Sequence, residues 1–170
     1  MAVTAKGTPY VESSDLVANY PGVSLALANH IDVTAGKVLQ VVYASSVSNT
    51  TTSGTTFVTT NVTGTITPSK TSSKILIMVA VQLSNQTSNT GDFTIFRGTV
   101  AGTNLGPAAG FGRLNTVSQS TAALQTAIFL DDPNTTSAQV YTVAMKGTTG
   151  GFLTANNANP GTITLMEIGA

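Results

Sequence analysis

Seven aspartates and glutamates and a single histidine are the residues best suited to acid–base chemistry in this 170-residue chain. Asp131 and Asp132 are the only adjacent carboxylates. A calcium ion could draw on such a pair, because it needs several oxygens at about 2.3–2.6 Å. The same Asp-Asp-Pro-Asn string is turn chemistry, with Asp bonding its own backbone and Pro presetting φ, and it reads as a turn. Glu12, Asp15 and Asp32 fall in the N-terminal stretch, Asp92 ends a loop at a strand start, and Glu167 lies in the last strand. None forms the facing pair that glycoside hydrolysis requires. His30 could serve a serine nucleophile, but there is no GxSxG elbow and no second histidine for a metal. It reads as a helix-end histidine near the negative end of the macrodipole. With no cysteine, disulfides, thiolate catalysis and most structural zinc sites are excluded. Gly106–Arg113 (GPAAGFGR) lacks the Lys-Ser/Thr of a phosphate loop and leads into no helix. The residues therefore point to no catalytic site, no metal and no cofactor.

What remains is binding by shape. Charged residues are 8% of the chain and the formal net charge is zero. Lys6, Lys37, Lys70, Lys74, Arg97, Arg113 and Lys146 are scattered singly, so no stripe exists to neutralise successive phosphates, and nucleic acid is not an expected partner. The longest apolar run, Ile75–Val81, is too short to span a bilayer, so no membrane insertion is expected. MAVTAKGTPY has no apolar leader, which places synthesis in the cytosol. A weakly charged surface favours association over repulsion. The tyrosines and phenylalanines are too dispersed for a base-stacking platform. Phe57, Phe93, Phe96 and Phe129 read as core. Phe111 and Phe152, in Gly-flanked contexts, and Arg113 are the candidate surface contacts. The sequons at Asn49, Asn61, Asn85 and Asn134 read as coincidence in so Thr-rich a chain.

These residues must be positioned by two kinds of element. Before Thr34, Ser13 or Ser14 can cap a helix at Asp15, Pro21 interrupts it, and a second helix restarts at Pro21 or Gly22. Val23, Leu27 and Ile31 recur at four-residue spacing as one apolar stripe. A helical pair this short is marginal alone, so it must rest on the β domain, a sister chain or a partner. From Lys37 onward the pattern is β. Strands are predicted at Val38–Ser46, Thr56–Thr65, Lys74–Leu83, Phe93–Val100, Ala122–Leu130, Gln139–Lys146 and Thr162–Glu167, with weaker ones at Phe111–Leu114 and Phe152–Leu153. Ile75–Val81 reads as buried on both faces. Ser48–Gly54, Pro68–Ser73, Ser84–Asp92, Asp131–Ser137 and Thr154–Gly161 read as connections. About eight strands without intervening helices predict an all-β fold: an antiparallel β-sandwich of jelly-roll type over residues 37–170. A short helical N-terminal arm over residues 1–36 precedes it.

Several segments resemble the C-terminal domains of tailed-bacteriophage virion proteins, a group that includes tail fibres and capsid fibres or decorations. They are FVTTNVTGTITPSKTSSKILIMVAVQ (Phe57–Gln82), FLDDPNTTSAQVYTVAMKG (Phe129–Gly147), TITLMEIGA (Thr162–Ala170) and the lead-in TPYVESSDLVANYPGVSLALANHID (Thr8–Asp32). The resemblance implies a β-sandwich or jelly roll that forms a homotrimer on the virion surface and assigns no catalytic residue. No shaft precedes the β domain, which favours a capsid decoration (cement) subunit over a long fibre. Tyr10, Leu16, Val23, Leu27 and Ile31 would anchor the arm to the major capsid protein or other virion proteins. The alternative is a tail-fibre or tail-tip receptor-binding module. It would read a host surface glycan through the loops Ser84–Asp92, Gly106–Arg113 and Thr154–Gly161. A glycan depolymerase would need the paired carboxylates that are missing.

Overall fold

The computed structural model describes residues 2–3, 9–10, 36–85, 90–115, 121–148, 153–156 and 159–169. The chain divides into two compact units, Met1–Ala35 and Gly36–Ala170. In the first, β1 (Ala2–Val3) pairs antiparallel with β2 (Pro9–Tyr10), Ala2 standing opposite Tyr10. The helices expected between Ser13 and Asp32 lie outside the described residues.

The second unit is built from Thr- and Val-rich segments whose Cβ branching suits a pleated backbone. Its strands are β3 (Val38–Ser46), β4 (Thr50–Thr52), β5 (Val58–Ile66), β6 (Lys74–Asn85), β7 (Thr90–Arg97), β8 (Thr103–Asn104), β9 (Gly112–Asn115), β10 (Thr121–Asp131), β11 (Gln139–Gly147), β12 (Leu153–Ala155) and β13 (Gly161–Ile168). They form two antiparallel sheets, and no helix occurs among the described residues. In the first sheet β6 is central: β10 lies along one side, and β13 followed by β12 along the other. β3 continues the sheet beyond β13, and β4 beyond β12. In the second sheet β11 sits between β5 and β7, and β7 also pairs β8 and β9.

Period-two alternation places the core. Ile75, Ile77, Val79, Val81 and Leu83 of β6 and Ile163 and Leu165 of β13 are buried, in one cluster with Phe93 and Ile95 of β7 and Tyr141, Val143 and Met145 of β11. The two sheets thus share a single core, assembled from alternate residues of each strand. β5 comes so near β13 that a Cβ at Gly64 would meet the Leu165 side chain at 3.0 Å and that of Ile163 at 3.2 Å. On the other face of the second sheet Phe57 meets Phe96 edge-on at 5.7 Å, and the Lys146 ammonium sits 4.5 Å above the Phe57 ring.

Four expectations need correction. Ser48–Gly54 is not all loop, because Thr50–Thr52 pairs with Leu153–Ala155. The strand expected at Phe93–Val100 runs from Thr90 to Arg97 and is stopped by Gly98, whose φ of 90° a strand cannot continue. Asp92 is consequently inside a strand and buried, not at the end of a loop. Ile75–Val81 is buried on one face only. Leu76, Met78 and Ala80 alternate with the core residues, point away from the core and are half-buried.

The sheets are also tied by charge. Asp131, at the end of β10, accepts hydrogen bonds from Arg97 Nε at 2.9 Å and Nη2 at 2.5 Å. It also accepts one from the Tyr141 hydroxyl at 2.7 Å. Arg97 and Tyr141 belong to the other sheet, so this one carboxylate joins three strands. Burial, and then the bond to Asp131, push the Tyr141 hydroxyl well above the usual phenol range. Asp131→Ala would leave the hydroxyl without its acceptor and the guanidinium without its carboxylate, though Arg97 Nη2 also donates to the Asp132 carbonyl at 3.3 Å. The expected loss is about 2–3 kcal/mol of unfolding free energy, since Arg97 keeps some contact with water. Tyr141→Phe should lose only about 1 kcal/mol. Urea unfolding of the two variants checks the order.

Candidate contact face

Among the described residues, the carboxylates that could do chemistry are each engaged in structure. Asp131 is held as described. Asp92 accepts from Arg113 Nε at 2.7 Å and Nη2 at 3.2 Å, with the Lys146 ammonium 4.0 Å away. Asp132 is exposed and 3.8 Å from Lys74. Glu167 is buried on the inner side of β13, where Oε1 accepts from the Ser69 amide at 2.7 Å and hydroxyl at 2.6 Å. Its Oε2 accepts from Gln40 Nε2 at 2.6 Å, and the same nitrogen donates to the Thr67 carbonyl at 2.6 Å. Asp92, Asp131 and Glu167 each sit among donors, which is the arrangement of a clamp rather than of an acid–base pair. Among the described residues, no group of three His, Cys, Asp or Glu side chains converges to hold a metal ion.

The surface offers more. The outward side of the first sheet carries cross-strand rows of apolar residues. One row runs Leu130, Leu76, Met166, Val41 across β10, β6, β13 and β3; the next runs Ile128, Met78, Thr164, Tyr43. Thr126, Ala80, Thr162 and Ser45 form a third row, and Leu124 stands beside Gln82. Ile128 is 71% exposed, Tyr43 64%, Leu124 61% and Val41 55%. Isolated exposed apolar residues are ordinary, but a contiguous field of them marks a contact surface. No member of these rows is charged, and Lys74, at their margin on β6, is paired with Asp132.

A second feature lies on the other sheet. Thr59, Asn61, Thr63, Thr99, Val100 and Thr142 line an open groove of about 320 Å³. Asn61 has a φ of 63°, and the β11–β5 register shifts between Thr142 and Ala144, so the pleat is broken beside it.

Of the residues singled out from sequence, Phe111 is half-buried, with its ring 5.4 Å from that of Phe129 and its amide donating to the Phe93 carbonyl. Arg113 is exposed and engaged with Asp92. Phe152 lies outside the described residues, as do Leu16, Val23, Leu27, Ile31 and His30. Tyr10 is in β2. The outward rows were missed. Their signal was present in Ala122–Leu130, where both alternating sets are largely apolar: Leu124, Ile128 and Leu130 beside Thr126 on one side, Ala123, Ala127 and Phe129 beside Gln125 on the other.

No protein-family model matches the sequence, and no curated protein matches it. Among solved structures, the chain is similar to a structure of infectious bursal disease virus, Gx strain, at 12% identity and a TM-score of 0.43, over 77% of this chain and 37% of that one. It is similar to a mutant VP2 protein of the same virus in T=1 particles at 13% identity and a TM-score of 0.41, over 78% and 37%. It also resembles the VP2 subviral particle at 11% identity and a TM-score of 0.39, over 78% and 39%. The chain thus spans little more than a third of the length of these neighbours. Likeness of this degree assigns neither function nor partners.

The Glu167 clamp has a pH signature. Burial alone would raise its carboxyl, but the bonds from Ser69 and Gln40 outweigh burial and hold it at about 2, against an ordinary 4.5. Between these values the unfolded chain binds more protons than the folded one, so stability rises with pH. The contribution is complete above 4.5 and is lost as pH falls through about 2. Urea midpoints measured across this window should fall with acidification, and Glu167→Gln should flatten that slope.

Proposed function

We propose that this chain is a non-enzymatic structural protein of a tailed-phage virion: a homotrimeric capsid decoration (cement) subunit that docks through its N-terminal arm. The observation that carries the reading is the pairing of committed carboxylates with a broad uncharged apolar face. Such a surface works by packing against protein. The strand orders β3-β13-β6-β10 and β5-β11-β7-β9 support assigning the β unit to the jelly rolls, which fold eight strands into two such sheets. The residue resemblance to phage virion domains supports the location. Tyr10, Leu16, Val23, Leu27 and Ile31 are the proposed anchors, and Phe111, Arg113 and Phe152 the proposed surface contacts. In a trimer three arms act together, raising effective concentration at the particle without a new kind of contact.

A second reading, a tail-fibre or tail-tip module that binds a host surface glycan, is favoured by the hydroxyl-rich groove around Asn61. The two differ in stoichiometry. Quantitative mass spectrometry of purified virions should find on the order of hundreds of copies per particle for a subunit repeated with the shell's symmetry. A number matching the tail's few copies would support the second reading, and absence from the virion would overturn both.

A further inference from the structure

We infer that the outward face of the β10-β6-β13-β3 sheet is covered by a second copy of this chain. The inference deepens the proposed homotrimer and rests on that reading for self-association, not for attachment to a particle.

Size is the first argument. Strands lie about 4.8 Å apart and rise about 3.4 Å per residue, so the four strands between the Thr126 and Leu130 levels present a field of about 19 by 17 Å, roughly 320 Å² in projection, which β10 and β6 extend to Leu124. Shared between two neighbours in a ring, such a field supplies the apolar core of each contact, and a polar rim supplies the rest of the roughly 800 Å² that each partner gives a stable interface. Charge is the second. A face that meets its own kind must not repel itself, and like charges brought together would cost several kcal/mol. Here the rows are uncharged, Lys74 at the margin is neutralised by Asp132, and the chain's formal net charge is zero. Composition is the third. Ile128, Leu130, Leu76 and Met78 supply apolar contact, while Thr126, Thr164 and Gln82 give hydroxyls and an amide that can bond across a contact. The apolar residues also flank both lateral edges of the sheet, Ile128 on β10 and Tyr43 on β3. The β10 flank of one copy can therefore meet the β3 flank of the next, and repetition of that heterologous contact closes a ring.

The test is sedimentation velocity of the full chain over a range of concentrations. Wild type should sediment as an oligomer. Ile128→Asp and Tyr43→Asp each place an unpaired charge in the contact and should weaken association by about 100-fold or more. Ser137→Asp, in an exposed loop, should leave it unchanged. Circular dichroism confirms folding, and if one face variant fails to fold the other carries the test. A monomeric wild type, or face variants that associate like wild type, overturns the inference. Variants that keep their oligomeric state but lose virion occupancy would assign the face to another virion protein and also overturn it. Copy number in the virion is measured separately, so virion membership and this contact stand or fall independently.

Discussion

Burial of alternate side chains between two facing sheets is the constraint on which this β unit depends. Ile75, Ile77, Val79, Val81 and Leu83 supply one wall, and Phe93, Ile95, Val143 and Met145 the other. Because the side-chain period is two, each inward residue forces its neighbours outward. The composition of the outer face is then free to vary without disturbing the core. On β13 that freedom holds threonine at 162 and 164; on β10 it holds leucine and isoleucine. What the sheet presents to its surroundings is thus a choice separable from what holds it together.

The polar clusters follow the same constraint. A carboxylate placed on the inward side of a strand must be fully bonded or it would cost more than the fold can bear. Glu167 meets this with Ser69 and Gln40, and Asp131 with Arg97 and Tyr141. These bonds fix where the ends of β13 and β10 lie against loops and against the opposite sheet. They also explain why a chain with so few acids retains some of them in buried positions.

Most of the second unit was legible in the residues. Val38–Ser46 matches its strand at both ends, and the alternation of Ile163, Leu165 and Glu167 with Thr164, Met166 and Ile168 reads directly as inside and outside. Short pieces such as Thr50–Thr52 were not legible, since three threonines pair only because Leu153–Ala155 happens to lie beside them. The outward apolar rows were hidden for a different reason. An all-apolar strand has the same pattern whether a second layer of its own chain covers it or another molecule does. Asp92 illustrates a third limit: nothing near it in sequence announces Arg113, which reaches it from a neighbouring strand.

The central place of β6 has a dynamic consequence. Along most of its length it has a hydrogen-bonded neighbour on both sides, whereas β10 is paired only with β6 among the described strands. Amides of β6 are therefore released to deuterium only when the sheet as a whole opens. Every second amide of β10 faces away from its partner and exchanges through local fluctuation. The backbone thus has its slowest clock in the middle of the sheet and a faster one at the rim.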